Sequence, residues 1–380
     1  MGPKLSNNNL VCFLGAALGV FLWVTLLLPF AAISVGGNNL DQLPRSLISV
    51  MLVGATPFAA FPAILFYGGS SKKAWGNKSK KITIIPFTLE LFASFHCMKA
   101  SKLYSKTVLV TGCSSGIGEG IANYLREVGW DVFPTARSEP DLQKLRSNGF
   151  EALHLDLTDS ISIDNCVSSL LQKSPLGIGA IVNNAGIAIP GAVEDLSREE
   201  LRAQFEVNVF GLQELTNKFV PTFRDQGWGR IVNISSIYGI LTAPMVGGYC
   251  ASKYALEALS NAQRMELSGS GVALSLVEPG PILSSFRSNA YDILRKKISA
   301  EDHFYTDYKK TLKRKLGKAQ SNMKFSLGPR QVADKVLHAI TSDRPRRRYL
   351  VTYPAYAGSF IARIFPGFLI DYCMKKTANY

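Results

Sequence analysis

Residues 107–118 read Thr107-Val-Leu-Val-Thr-Gly-Cys-Ser-Ser-Gly-Ile-Gly118, and an amphipathic stretch, Glu119 to Val128, follows at once. The apolar, β-branched run predicts a buried strand, the glycines a tight turn, and the next segment a helix. The order matters physically. A glycine-rich turn between strand and helix lets the backbone approach a pyrophosphate, and the helix start offers unpaired N–H groups to its charge. Gly112, Ser114, Ser115, Gly116, Ile117 and Gly118 are therefore candidate cofactor-binding residues. A glycine-rich run alone is a weak signal; its place between strand and helix gives it weight.

The same alternation of short apolar strands and amphipathic helices continues downstream. Strands are predicted at Asp131 to Thr135, Leu153 to Asp156, Ala180 to Asn183, Gly229 to Ser235 and Val272 to Val277. This pattern predicts an α/β chain with a Rossmann-type, doubly wound parallel sheet. An acidic residue after the second strand would bind the adenine ribose hydroxyl of NAD, whereas an arginine accommodates the 2′-phosphate of NADP. No acid stands there and Arg137 does, so NADP(H) is preferred over NAD(H). The plainer reading of Arg137 is a solvated side chain. Asp156 closes the third strand, either as an adenine contact or as a turn former.

Tyr249 and Lys253 lie four apart in a predicted helix, Gly248 to Leu267, and so share one face. A tyrosine with a pKa near ~10 is a poor base at neutral pH, and an ammonium one turn away favours its phenolate. Alone, the pair would be an ordinary amphipathic helix. Gly229-Arg-Ile-Val-Asn-Ile-Ser235-Ser236 adds two hydroxyls at the carboxyl edge of the sheet, where such folds bind ligands.

Thr111-Gly-x-x-x-Gly-Ile-Gly118, Asn183-Asn-Ala-Gly186 and Tyr249-x-x-x-Lys253, in that order, resemble the short-chain dehydrogenase/reductase family over about residues 104–342. The apolar start and basic end are similar to membrane-bound hydroxysteroid and retinol dehydrogenases, and the middle to NADP-dependent aldehyde reductases. The resemblance implies a catalytic set of Asn208, Ser236, Tyr249 and Lys253. Ser236, thirteen residues before Tyr249, would polarise a substrate carbonyl. Tyr249 would be the general acid or base, Lys253 would also hold the nicotinamide ribose, and Asn208 would hold a water linked to the lysine. It further implies cofactor contacts at Asn183, Ala185 and Gly186, and at Pro279, Gly280, Ile282 and Ser284 in Glu278-Pro-Gly-Pro-Ile-Leu-Ser284. Ser284 stands where threonine is commoner in the family.

The chain has 380 residues, 47% of them hydrophobic and 18% charged. That is below the ~25% charge of ordinary soluble domains and excludes a disordered chain. The net charge of +14 is uneven: +8 over residues 1–106, −7 over 107–294 and +13 over 295–380. An acidic middle argues against nucleic acid, whose footprint would be basic on the folded core. Basic flanks beside apolar segments suit a membrane surface.

Leu10 to Val35 and Leu47 to Tyr67 contain no charged residue. Each reaches the ~20 residues needed to cross a bilayer as a helix. Residues 1–70 are therefore expected to form a transmembrane hairpin turning at Gly36 to Ser46; a signal peptide is the competing reading of the first segment. Lys72, Lys73, Lys78, Lys80 and Lys81 follow the second segment and point to a cytoplasmic catalytic domain. The membrane would be the endoplasmic reticulum in a eukaryote or the inner membrane in a bacterium. Residues 71–104 read as a basic linker with an interfacial segment, 105–342 as the catalytic domain, and 343–380 as a basic, aromatic tail. The tail, Tyr349 to Met374, is expected to be a partly interfacial cap over the pocket mouth or an oligomer contact, in a homodimer or homotetramer.

Cys12, Cys97, Cys113, Cys166, Cys250 and Cys373 show no metal-ligand spacing, so no metal is expected and buried thiols are the plain reading. The pocket is expected between Ile187 to Val193, Tyr238 to Val246 and Phe286 to Phe325. The first two are apolar and hold no arginine or histidine, which favours a lipophilic alcohol, aldehyde or ketone. The expected function is a membrane-anchored, NADP(H)-dependent oxidoreductase for such a substrate. The alternative is a non-catalytic, NADP(H)-binding membrane sensor or scaffold.

Overall fold

The structure is a computed structural model that describes residues 105–298, 306–310 and 325–378. The expected hairpin and basic linker lie outside the described residues. Among the described residues, no helix is long and apolar enough to cross a membrane.

Seven strands form one parallel sheet in the order β3-β2-β1-β4-β5-β6-β7. The chain runs β1 (Thr107–Val110), α1 (Gly116–Glu127), β2 (Asp131–Ala136), α2 (Glu139–Ser147), β3 (Leu153–His154), α3 (Ser160–Lys173) and β4 (Ala180–Asn183). Then come α4 (Arg198–Phe205), a π-helical turn (Glu206–Gly211), α5 (Leu212–Gln226), β5 (Gly229–Ile234) and α6 (Gly247–Glu266). The chain closes with β6 (Val272–Pro279), α7 (Phe286–Lys297), α8 (Pro329–Thr341), β7 (Arg348–Val351), α9 (Tyr353–Ile364) and α10 (Gly367–Ala378).

Successive strand residues point to opposite faces, so each strand feeds two cores. On one face Val108 and Val110 pack with Ile121 and Leu125 of α1 and with Val332, Val336 and Ile340 of α8. On the other, Leu109 packs with Ile163 and Leu170 of α3 and with Leu215, Phe219 and Phe223 of α5. Both faces being covered, β1 and β4 are buried throughout, which explains their continuous apolar runs.

The strand order reverses between β1 and β4, and the chain leaves both strands there into the loops Thr111–Ser115 and Asn184–Ile187. Ligands of open α/β sheets bind in the crevice at such a switch point. One boundary differs from the sequence reading. Arg348–Val351, read as part of a tail after residue 342, is the seventh strand, paired in register with Leu276–Pro279. Its lead of Arg344 to Arg347 hid it, because four residues at a sheet edge carry little periodic signal.

Candidate active site

The turn after β1 is held by side chains rather than by regular structure. Thr111 Oγ1 accepts hydrogen bonds from the backbone N–H groups of Asn184 and Ala185, both at 2.9 Å. Asn184 Nδ2 donates to the carbonyls of Thr111 at 2.9 Å and Gly112 at 3.0 Å. Gly112 has φ +70°, and a Cβ there would lie 2.8 Å from Ala185 Cα. A Cβ on Gly118 would lie 2.1 Å from the Gly112 carbonyl oxygen. The two glycines thus let the loop, the fourth-strand turn and the start of α1 nest together. Ser115, the residue before α1, bonds Ser285 Oγ at 2.6 Å and makes no side-chain cap to the helix. The first N–H groups of α1 are left without a side-chain acceptor, which fits a pyrophosphate at that end.

The other sequence-derived positions fall around this cradle unequally. Ser284 reaches Gly116: a Cβ on that glycine would lie 2.9 Å from Ser284 Cβ. Pro281 O and Leu283 N are bonded to Leu327, so this bridge uses the groups on either side of Ile282 and not its own. Gly280 N donates to Val351 O at 3.0 Å, pinning the turn after Pro279 to β7. Ile117 packs on the core beneath the cradle. Lys144 Nζ donates to Ser114 O at 3.3 Å and pairs with Glu119. Gly186 is packed near Asn208 Oδ1. Arg137 is exposed at the end of β2 and forms no ion pair among the described residues. Asp156 is a turn former: its Oδ1 accepts from Thr158 N at 2.9 Å and Thr158 Oγ1 at 2.8 Å. Partial burial raises its carboxyl pKa, but those bonds and Arg137 outweigh it and hold the group below its usual range.

The Asn183 side chain is buried and donates to Thr216 Oγ1 and Asn233 Oδ1, each at 2.8 Å, so it braces β4, β5 and α5. Thr111 and Asn184 do the work at the cradle. Their signal was in the quoted motifs, since a hydroxyl and an amide beside a glycine turn can satisfy its free backbone groups.

The catalytic candidates converge where β5 ends. Ser236 accepts from Tyr238 N at 3.1 Å through its hydroxyl and stands near enough to the Tyr249 phenol to favour its ionised form. Tyr249 lies on α6 with Phe286 at 5.7 Å and Tyr238 at 6.3 Å between ring centroids. Burial pushes its pKa above the ordinary tyrosine value, partly offset by nearby Ser236. Lys253 Nζ donates to Ile234 O at 2.8 Å and sits 5.9 Å from the Tyr249 ring centre. Burial pushes its pKa down to about 8, with Glu257 acting to raise it.

Asn208 reaches the site indirectly. Its Nδ2 donates to Ile187 O and Ser252 Oγ, both at 3.0 Å, and its Oδ1 accepts from Ile187 N at 2.9 Å. Ser252 Oγ donates to Tyr249 O at 2.7 Å. The Asn208 side chain clamps the loop after β4 to the helix bearing Tyr249. It is a positioning residue.

The pocket walls meet as well. Gly191 N donates to Met245 O at 2.9 Å, joining the first two segments. Tyr308 OH accepts from Ala192 N at 2.7 Å and donates to Asp195. Lys297 of α7 pairs with Glu200 at 2.8 Å. Arg287, unremarked in the sequence, lies near enough to favour the ionised forms of Tyr238 and Tyr249 against their burial. Cys113 and Cys250 are buried, and burial pushes Cys113 up to about 12, so neither is a nucleophile.

A switch-point glycine cradle beside a serine, tyrosine and lysine defines a dinucleotide-type oxidoreductase site. The chain belongs to the short-chain dehydrogenase family, whose model matches residues 106–293. It is 38% identical to the oxidoreductase YbbO of Escherichia coli (strain K12), over 71% of this chain and 94% of that protein. It is 35% identical to the NADPH-dependent 3-dehydrocapnine reductase of Ornithobacterium rhinotracheale, over 64% of this chain and 87% of that one. A short-chain dehydrogenase from Streptomyces avermitilis superposes with a TM-score of 0.57 at 29% identity, covering 72% of this chain and 96% of its own.

Proposed function

We propose that the chain is a membrane-anchored, NADP(H)-dependent oxidoreductase that interconverts a hydroxyl and a carbonyl on a lipophilic substrate. The observation that carries this reading is the convergence of Ser236, Tyr249 and Lys253 at the end of β5, with Tyr238 and Phe286 packed on the Tyr249 ring. The preference for NADP(H) is supported by Arg137, which stands exposed and without an ion pair among the described residues where an NAD site would carry an acid. It is also supported by the similarity to the NADPH-dependent 3-dehydrocapnine reductase. The anchor rests on the two uncharged apolar segments before residue 70.

The bound nicotinamide would supply or accept the hydride. Gly112, Gly116, Gly118 and the uncapped start of α1 would hold the pyrophosphate, with Ile282 and Ser284 beside it. Ser236 donates to the substrate oxygen and fixes its direction. Tyr249 gives that oxygen a proton in reduction and takes one in oxidation. Lys253, as its ammonium, favours the phenolate that Tyr249 must pass through. Tyr238 and Phe286 exclude water from the reacting carbon.

Purified full-length protein, offered retinal, steroid ketones and long-chain aldehydes with NADPH and with NADH, should consume NADPH on at least one of them and favour it over NADH. Absence of turnover across such a panel overturns the reading.

A further inference from the structure

Beyond the active site, a cleft of about 420 Å³ opens between α8, β7 and α9. Its lining includes Lys335, Arg346, Arg347, Arg348 and Arg363, with Glu278 as its acidic member. Arg348 is committed: it pairs with Glu257 at 2.6 Å and with Glu278. The other four cations have no ion pair among the described residues. Arg347 and Arg348 repel nearby Arg264 and, after burial, hold its pKa down, while Arg363 lies near enough to Glu278 to favour its carboxylate. An anion in the cleft would relieve that repulsion.

The cleft borders an unusual surface. Tyr353, Tyr356, Phe360 and Ile364 recur at three- and four-residue steps along one side of α9, with exposures of 48–70%. Phe368 and Tyr372 extend the apolar surface onto α10, followed by Lys375 and Lys376. Tyr356 belongs to both features, exposed on α9 and lining the cleft. Opposite this stripe, Gly358 packs α9 against Ile237 and Leu241, so the stripe faces away from the core. Exposed aromatic residues with arginines and lysines beside them are the composition of a helix lying at the headgroup level of a bilayer.

We propose that α9 and α10 dock on an anionic lipid surface, with the aromatic stripe at the acyl boundary and a headgroup phosphate in the cleft of Arg346, Arg347 and Arg363. The inference rests on the reading that the catalytic unit works at a membrane, and adds a second, charge-selective contact to the expected N-terminal anchor. Because α9 covers Ile237 and Leu241, directly after Ser236, docking sets the pocket wall against the lipid from which a lipophilic substrate would come.

The test uses the full chain with Cys12→Ser and Cys97→Ser, carrying an environment-sensitive dye on Cys373, which is exposed while Cys113, Cys166 and Cys250 are buried. Vesicles with brominated acyl chains are prepared from phosphatidylcholine alone or mixed with phosphatidylserine. The dye should be quenched strongly only on the mixed vesicles. Arg346→Gln, Arg347→Gln and Arg363→Gln should each lower the docked-to-undocked ratio about fivefold. Phe360→Ser with Phe368→Ser should abolish quenching. NADPH consumption in detergent should be unchanged in all of these. Equal quenching on neutral and anionic vesicles, quenching indifferent to the arginines, or no quenching on either overturns the proposal. Flotation with neutral vesicles reads the anchor separately: flotation without quenching on mixed vesicles removes the docking surface, and quenching on mixed vesicles without neutral flotation removes the anchor and keeps the surface.

Discussion

Asn208 Nδ2 and Ser252 Oγ are hydrogen-bonded at 3.0 Å, and this bond ties a π-helical turn to the helix that carries Tyr249 and Lys253. Ser252 passes the connection to the Tyr249 carbonyl, while Asn208 also grips the Ile187 backbone on both its N–H and C=O. The pocket wall after β4 and the catalytic helix are therefore tied to one another. Asn208→Ala and Ser252→Ala should each lower kcat, and a double-mutant cycle should give a coupling of about 1 kcal/mol. Additive effects would mean that the bond does not transmit position.

Tyr249 and Lys253 make the sharper kinetic prediction. Tyr249→Phe should lower kcat by about 10³-fold while NADPH still binds, as read by fluorescence titration. Lys253 has its pKa pushed from 10.5 down to about 8 by burial, so its ammonium is present below that pH and lost above it. The groups around it are Tyr249 and Glu257 on α6, with Arg348 of β7 and Glu278 of β6 acting through Glu257. Glu257 is the group that raises the Lys253 pKa, so Glu257→Gln should shift the alkaline limb of the kcat profile to lower pH. A limb that stays in place would separate the lysine from the pH dependence.

Much of the architecture is legible in the sequence because both faces of the central strands are covered, and Thr107–Val110 and Ala180–Asn183 accordingly read as short apolar runs between helical patterns. The glycine turn is legible for the same local reason. What escapes is whatever depends on contacts distant along the chain. Asn183 and Asn184 are adjacent amides of one type, and only the partners across the sheet separate the core brace from the loop clamp. Arg348 looks like one of a basic run until β7 brings it against Glu257 and Glu278. Arg287 gains meaning only when α7 sets Phe286 against Tyr249.

Gly118 has no room to spare. A Cβ there would lie 2.1 Å from the Gly112 carbonyl oxygen and 2.5 Å from Asn184 Nδ2, so α1 must back away from the loop. Gly118→Ala should cost on the order of 1–3 kcal/mol in chemical denaturation and weaken cofactor binding at least tenfold. Gly129 has nothing within 4 Å of an added Cβ, so Gly129→Ala carries only the strain of its φ of +81° and should leave binding unchanged. Equal binding losses in the two variants would contradict the close-approach account.

Arg137 decides between cofactors if it meets the 2′-phosphate. Arg137→Ala should reduce the ratio of kcat/KM for NADPH over NADH about tenfold, mostly by weakening NADPH. The change should shrink at high salt, because the side chain is exposed and its field is screened. An unchanged ratio would leave Arg137 as a solvated residue.

Glu278 links the site to stability. It is buried at the end of β6, and burial, reinforced by Glu257, pushes its pKa from 4.5 up to about 7 against the pull of Arg348. Between those values the folded protein holds a proton that the unfolded chain has released. Stability then falls as pH rises through the window, because the folded state binds the extra proton. Replacing the carboxylate by Glu278→Gln removes this titration. Denaturation of the wild type should accordingly lose stability from pH 4.5 towards pH 7 relative to the variant, whatever the absolute cost of losing the Arg348 pair. Parallel curves for the two proteins across that window would show that Glu278 stays ionised, its charge fully met by Arg348.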